Sequence, residues 1–168
     1  MRRCIWIGFM ILGTSLWGQE EVTEVTQVGQ IVPEFSVTTL DGKNLNILDL
    51  RGKVVLINFF ATWCGPCNQE MPHLEKEIWE AYKDKAFTVL SIAREHNAEE
   101  AAAFRKEKGL TFPMAPDPER KVYSLFATQF IPRNILIDKE GKIVFQEKGF
   151  DQEKLNSLVE KIEQLLKE

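Results

Sequence analysis

The chain has 168 residues, 44% hydrophobic and 27% charged, with 21 Lys and Arg against 25 Asp and Glu. That length and apolar content support a single domain with its own core, and no internal repeat or low-complexity run divides it. A net charge of −4, with no basic patch along the chain, excludes a nucleic-acid partner, because phosphate binding needs a basic surface.

Arg2 and Arg3 open the chain, an apolar run follows from Cys4 to Trp17, and Gly18 precedes the polar Gln19-Glu20-Glu21. This order predicts an export signal over residues 1–18, although Leu16 fits the small-residue cleavage rule poorly. The run is short for a bilayer span, so an uncleaved anchor is the weaker alternative. Removing Arg2 and Arg3 takes the basic count from 21 to 19 and the net charge from −4 to −6. Residues 19–30 read as a polar, extended lead-in whose Val22, Val25 and Val28 add a loose strand. The compact domain is expected over residues 31–168.

Within that domain Phe35 to Leu40 reads as a strand, Asp41-Gly42 as a turn and Asn44 to Ile47 as a second strand, together a hairpin. Arg51-Gly52 turns the chain into the apolar strand Val54 to Phe60. A helical pattern then runs from Cys67 to Tyr82, followed by a strand from Ala86 to Ala93 and a helix from Ala98 to Lys108 that Gly109 ends. This order implies a βαβ unit with a parallel pair. Arg120 to Phe126 reads as a short helix, and Asn134 to Asp138 and Lys142 to Lys148 as antiparallel strands around Lys139-Glu140-Gly141. The last helix starts at Asp151, a suitable N-cap, with Leu155, Leu158, Val159, Ile162, Leu165 and Leu166 in one stripe. The sum is an α/β fold, a mixed sheet covered by helices on both faces.

The chemistry concentrates at Trp63-Cys64-Gly65-Pro66-Cys67, between the central strand and its helix. Two thiols at this spacing form a reversible dithiol/disulfide couple. The unpaired N–H groups and dipole of the helix N-terminus favour an anion there. A free thiol ionises near a pKa of about 8.5, and this placement commonly brings it to roughly 7 or lower, so Cys64 is the expected attacking thiolate and Cys67 the resolving thiol. Trp63 is placed to shield the thiols and touch substrate. Cys4, the third of three cysteines, falls in the export signal, and a single remaining pair is not the pattern of a disulfide-stapled scaffold. A zinc site would need further ligands, and the two histidines fit poorly. His73 points to another helix face and His96 lies in a polar loop, so both are expected as solvated surface residues and no metal is assigned. Asp117 and Glu119 to Lys121 read as solvated charges.

In this order of elements the chain resembles the thioredoxin superfamily, and within it the exported TlpA/ResA/DsbE-like thiol:disulfide oxidoreductases. The resemblance rests on Val32-Pro33-Glu34-Phe35, Leu50-Arg51-Gly52-Lys53-Val54-Val55, Asn58 through Cys67, Glu70-Met71-Pro72, Ile131-Pro132 and Leu136 through Ile143. It implies a thioredoxin fold with a central mixed sheet flanked by helices and an N-terminal β-hairpin extension. It also implies a cis proline at Pro132, with Ile131 offering backbone groups to an extended substrate. Pro72, inside the helix, should kink it. Glu70 lies three residues past Cys67 on the same face. Spacing alone leaves it open between an exposed first-turn charge and a proton acceptor, and the resemblance assigns the acid–base role. Asn58 stands where cytoplasmic thioredoxins carry a buried Asp.

The implied activity is reduction of protein disulfides outside the cytoplasm. Gly65-Pro66 is the thioredoxin pair, and thioredoxin's potential is about −270 mV. Protein disulfides or dithiols would be the substrates and a membrane thiol carrier the electron donor, with no cofactor and a monomeric chain. Cytochrome c maturation and disulfide repair are the uses the family suggests. The periplasm or another extracytoplasmic space is the expected location. The alternatives are a metal chaperone or redox-inert binding module on the same scaffold, and a thiol peroxidase. Phe60, Ala93-Arg94-Glu95 and Arg133-Asn134 depart from the family pattern, which points to a differently lined substrate groove.

Overall fold

The computed structural model describes residues 23–168. The expected export signal and the first part of the lead-in, with Val22, lie outside them. Among the described residues seven strands form two sheets: β1 (Ser36–Thr38) and β2 (Asn44–Asn46) make an antiparallel hairpin, and β3 (Val54–Phe60), β4 (Phe87–Arg94), β5 (Met114–Asp117), β6 (Arg133–Ile137) and β7 (Ile143–Lys148) make a five-stranded sheet in the order β5-β4-β3-β6-β7. β3 pairs parallel with β4 and antiparallel with β6, so the sheet is mixed. β3 is buried along its whole length, as its unbroken apolar run requires of a strand covered on both faces.

β5 is the one strand that the sequence pattern does not announce. It is short and carries Pro116, an edge-strand residue because it has no N–H for the ladder. It pairs parallel with β4, and this settles where the helices go. The steps from β3 to β4 and from β4 to β5 run in the same direction across the sheet, so right-handed crossovers carry both connecting helices to one face. The helices are α1 (Gly65–His73), α2 (Glu80–Tyr82), α3 (Ala98–Lys108) and α4 (Gln152–Lys167). Met71 and Leu74, Ala101 and Phe104, and Leu155, Leu158 and Ile162 all join one core with Leu56, Phe60 and Val89. Among the described residues the other face carries no long helix. Val55, Ile57, Phe59, Leu90 and Ile92 are covered there by the hairpin, by 3-10 turns at Ile47–Leu50 and Tyr123–Leu125, and by Phe126. Helices therefore flank the sheet mainly on one side.

Pro72 sits inside α1, and the helix continues through a π-helical stretch, Leu74–Trp79, into α2. Proline removes one N–H from the ladder and crowds the preceding turn, and a widened turn is one way for the helix to continue past it. α3 keeps a capping box between Asn97 and Glu100 and ends at Gly109 with φ 65°, a left-handed residue that glycine adopts without strain. Asp151 caps α4 by accepting from the Lys154 N–H. The β6–β7 pairing has one irregularity, between Leu136 and Ile137.

The segment ahead of Ile31 runs along the domain. Glu24 forms a bridge with Ala127, and the Gly29 N–H donates to the Ile143 carbonyl. Val25 and Val28 are exposed.

Candidate functional site

Cys64 is the N-cap of α1, and its Sγ accepts from the Cys67 N–H at 3.2 Å. Capping places the sulfur where the helix presents its unpaired donors and positive dipole end. The two cysteines form a disulfide of 2.08 Å, so the structure is that of the oxidised protein. Cys64 is 5% exposed and Cys67 0%, which leaves Cys64 as the sulfur an incoming group can reach. Asn68, which the sequence pattern did not single out, ties the loop together: its Nδ2 donates to the carbonyls of Thr62 at 2.8 Å and Cys64 at 2.9 Å. Gly65 and Pro66 are exposed at the first turn, with the proline where its missing N–H costs nothing.

Opposite the pair, the peptide bond from Ile131 to Pro132 is cis, and the Ile131 carbonyl oxygen lies 3.8 Å from Cys64 Sγ. The loop is held from below by Tyr123, whose hydroxyl donates to the Phe130 carbonyl at 2.9 Å. The buried Tyr123 ring lies under the Arg94 guanidinium at 4.7 Å and the Arg120 guanidinium at 5.1 Å. Arg94 is also 5.9 Å from the ring of Trp63, which is 63% exposed. Phe130 is exposed too, so two large aromatic surfaces flank the accessible sulfur.

Behind the pair, Glu70 is buried between α1 and the sheet. Its Oε2 accepts from Asn58 Nδ2 at 2.9 Å and its Oε1 from Asn134 Nδ2 at 2.5 Å. Burial pushes its carboxyl up to about 7, against the lowering effect of the two amide donors. Spacing had left an exposed first-turn charge open for this residue, and its burial excludes that.

Two expectations are overturned. His96 is buried, not solvated: its Nε2 accepts from the Thr62 N–H at 3.0 Å, and its Nδ1 faces Glu100 at 3.4 Å. The positive φ of Glu95 turns the chain after β4 and brings His96 back onto the loop ahead of Trp63, a geometry that a polar-looking sequence hides. Asp117 is likewise buried, accepting from the N–H groups of Val122 at 3.2 Å and Tyr123 at 2.8 Å, at the start of a 3-10 turn. His73 is half-buried, stacked 5.3 Å from Phe150 and paired with Glu77. Among the described residues no group of three His, Cys, Asp or Glu side chains could hold a metal ion, and no helix is long and apolar enough to cross a membrane.

Residues 27–166 match the Redoxin family. The thiol-disulfide oxidoreductase ResA of Bacillus thuringiensis (strain Al Hakam) is 37% identical over 123 residues, 73% of this chain and 70% of that protein. ResA of Bacillus subtilis (strain 168) is 29% identical over 82% of this chain and 74% of its own length. Among solved structures, a candidate protein disulfide isomerase from Bacteroides thetaiotaomicron is 40% identical, with a TM-score of 0.83 over 87% of this chain and 94% of that one. A candidate thiol:disulfide interchange protein DsbE from Chlorobium tepidum is 29% identical, with a TM-score of 0.74 over 83% of this chain and 98% of that one.

Proposed function

The chain belongs to the Redoxin family, among its ResA-like thiol-disulfide oxidoreductases, and we propose that it works outside the cytoplasm as a reductase of protein disulfides. Its exchange chemistry follows from the family. The roles of individual residues and the direction of electron flow are our reading. The observation that carries it is the Cys64–Cys67 disulfide at the start of α1, one sulfur reachable and the other sealed, with Glu70 buried behind.

In the reduced protein the Cys64 thiolate attacks one sulfur of a target disulfide. A bond forms between Cys64 Sγ and that sulfur, the target bond breaks, and the departing target thiolate takes a proton. Cys67 then gives its proton to the Glu70 carboxylate and attacks Cys64 Sγ, expelling the second target sulfur as a thiolate that takes a proton from solvent. The products are a target dithiol and the Cys64–Cys67 disulfide, two electrons having passed to the target. A carboxyl titrating at about 7 is suited to take that proton near neutral pH. The Ile131 backbone beside Pro132 would align an extended target segment, with Trp63 and the exposed Gly65-Pro66 turn as its contact surface.

The apolar run from Cys4 to Trp17 supports export, to the periplasm in a two-membrane cell. A reductant in an oxidising space cannot recharge itself, so a membrane thiol carrier would supply electrons, and cytochrome c maturation or disulfide repair would consume them. The test is the reduction potential of the chain without residues 1–18, equilibrated in thiol redox buffers and followed by tryptophan fluorescence. A value near about −270 mV supports the reductase, one near about −120 mV reverses the direction, and no reversible two-electron transition sinks the reading.

A further inference from the structure

Asn58, Asn134 and Glu70 close a buried ring of three hydrogen bonds. Asn58 Nδ2 donates to Glu70 Oε2 at 2.9 Å and to Asn134 Oδ1 at 3.0 Å, and Asn134 Nδ2 donates to Glu70 Oε1 at 2.5 Å. The Ser91 hydroxyl donates to Asn58 Oδ1 at 3.0 Å. The three side chains come from α1, β3 and β6, and the antiparallel register pairs Asn58 directly with Asn134.

The ring uses three amide hydrogens and none from the carboxyl. If the Glu70 proton lay inside the ring, at least one edge would face donor to donor or acceptor to acceptor, whichever way the two amides were turned. The ring is complete only when Glu70 is ionised, or when its proton sits on a lone pair that points out of the ring. Leaving a buried polar group unpaired costs far more than a normal hydrogen bond contributes, so the complete arrangements dominate. A water-sized cavity of about 10 Å³ adjoins Glu70 and Asn134 and is lined also by Phe145, Glu147, Lys154 and Leu158. Among these lining residues Glu147 from β7 and Lys154 from α4 carry charge, 3.7 Å apart as an ion pair. His73, further along α1, is occupied with Glu77.

We propose that Asn58 and Asn134 are positioning residues for the dithiol reaction, clamping one lone pair on each Glu70 oxygen so that its proton is exchanged only on the outward side. This rests on the reading of Glu70 as the proton acceptor. The clamp has two effects. It holds the carboxylate at a fixed angle to the cysteine pair, and it opposes the proton affinity that burial alone would impose. Asn134 is one of the positions at which the chain departs from its family pattern, whereas Asn58 lies within that pattern.

The test titrates the Glu70 side-chain carboxyl by carbon-13 NMR in the full chain, beside the pH profile of disulfide reduction. Asn134→Leu removes the donor at similar size, and Asn134→Thr keeps a hydroxyl donor and suits a strand. The Leu variant should bind the Glu70 proton at least about tenfold more tightly, the Thr variant less so, and the rate profile should move to higher pH in step. An unmoved Glu70 midpoint in both variants overturns the clamp, and the Thr variant still decides if Asn134→Leu does not fold. A midpoint that moves while the rate profile stays put also overturns the positioning role. Glu70→Gln then locates the fault: a rate profile unchanged in that variant means that Glu70 is not the acceptor.

Discussion

Cys64 Sγ lies 3.8 Å from the main-chain oxygen of Ile131, so the reachable sulfur sits beside a backbone acceptor of the loop ahead of Pro132. A target held through Cys64 would run along that loop. Because Cys67 is sealed behind Cys64, a Cys67→Ser chain should form mixed disulfides and fail to release them, whereas Cys64→Ser should form none. Non-reducing electrophoresis with mass spectrometry of the trapped adducts reads both outcomes, and adducts through Cys67 would refute the assignment of the two thiols.

Glu70 predicts an inverted pH dependence of stability. Its folded pKa is about 7 against 4.5 for the free group, so between those values the folded state binds more protons than the unfolded state. Stability contributed by this group is therefore full below about pH 4.5 and falls as pH rises to about 7, by about 3 kcal/mol in all. Glu70→Gln should flatten that slope in the oxidised protein, as urea unfolding at several pH values would show.

His96 should matter for stability although it touches neither sulfur. His96→Ala leaves the half-buried Thr62 N–H without its acceptor, two residues ahead of Cys64. A loss of about 1–3 kcal/mol is expected from urea unfolding, together with a shift of the Thr62 amide resonance. A change within about 0.5 kcal/mol, as for an ordinary surface substitution, would show that the bond contributes nothing.

Trp63 makes the opposite case. Its indole is mostly exposed, so Trp63→Ala should change stability by no more than about 0.5 kcal/mol. Its loss should appear instead as weaker saturation by a protein disulfide substrate, a raised KM with a smaller change in kcat. Equal kinetics in the variant would remove Trp63 from the contact surface.

The parts of this molecule that repeat a local rule could be read from the chain. The Cys-x-x-Cys spacing, the unbroken apolar run of β3, the Asp151 cap and the Gly109 stop each depend on neighbours in sequence. The parts that failed depend on how the chain turns in space. His96 and Asp117 look like loop charges because their partners, Thr62 and the Val122-Tyr123 amides, come together only after the chain turns. β5 escapes notice because a four-residue edge strand holding a proline has neither the length nor the alternation of a strand. Asn134 is legible only as an oddity after Pro132, since its significance comes from the strand register that sets it against Asn58.

The irregular pairing between Leu136 and Ile137 bears on how this molecule tolerates change. It divides β6 into a tip that must stay in step with β3 and a base that has already lost strict step with β7. The turn from Asp138 to Lys142 is tied to the domain by the Gly52 N–H on the Lys139 carbonyl and the Val32 N–H on the Gly141 carbonyl, so a residue gained there breaks turn contacts without moving Asn134. A single residue gained between Pro132 and Ile135 would instead rotate Asn134 to the opposite face and bring Arg133 into its place, so the two ends of one short strand evolve under different constraints.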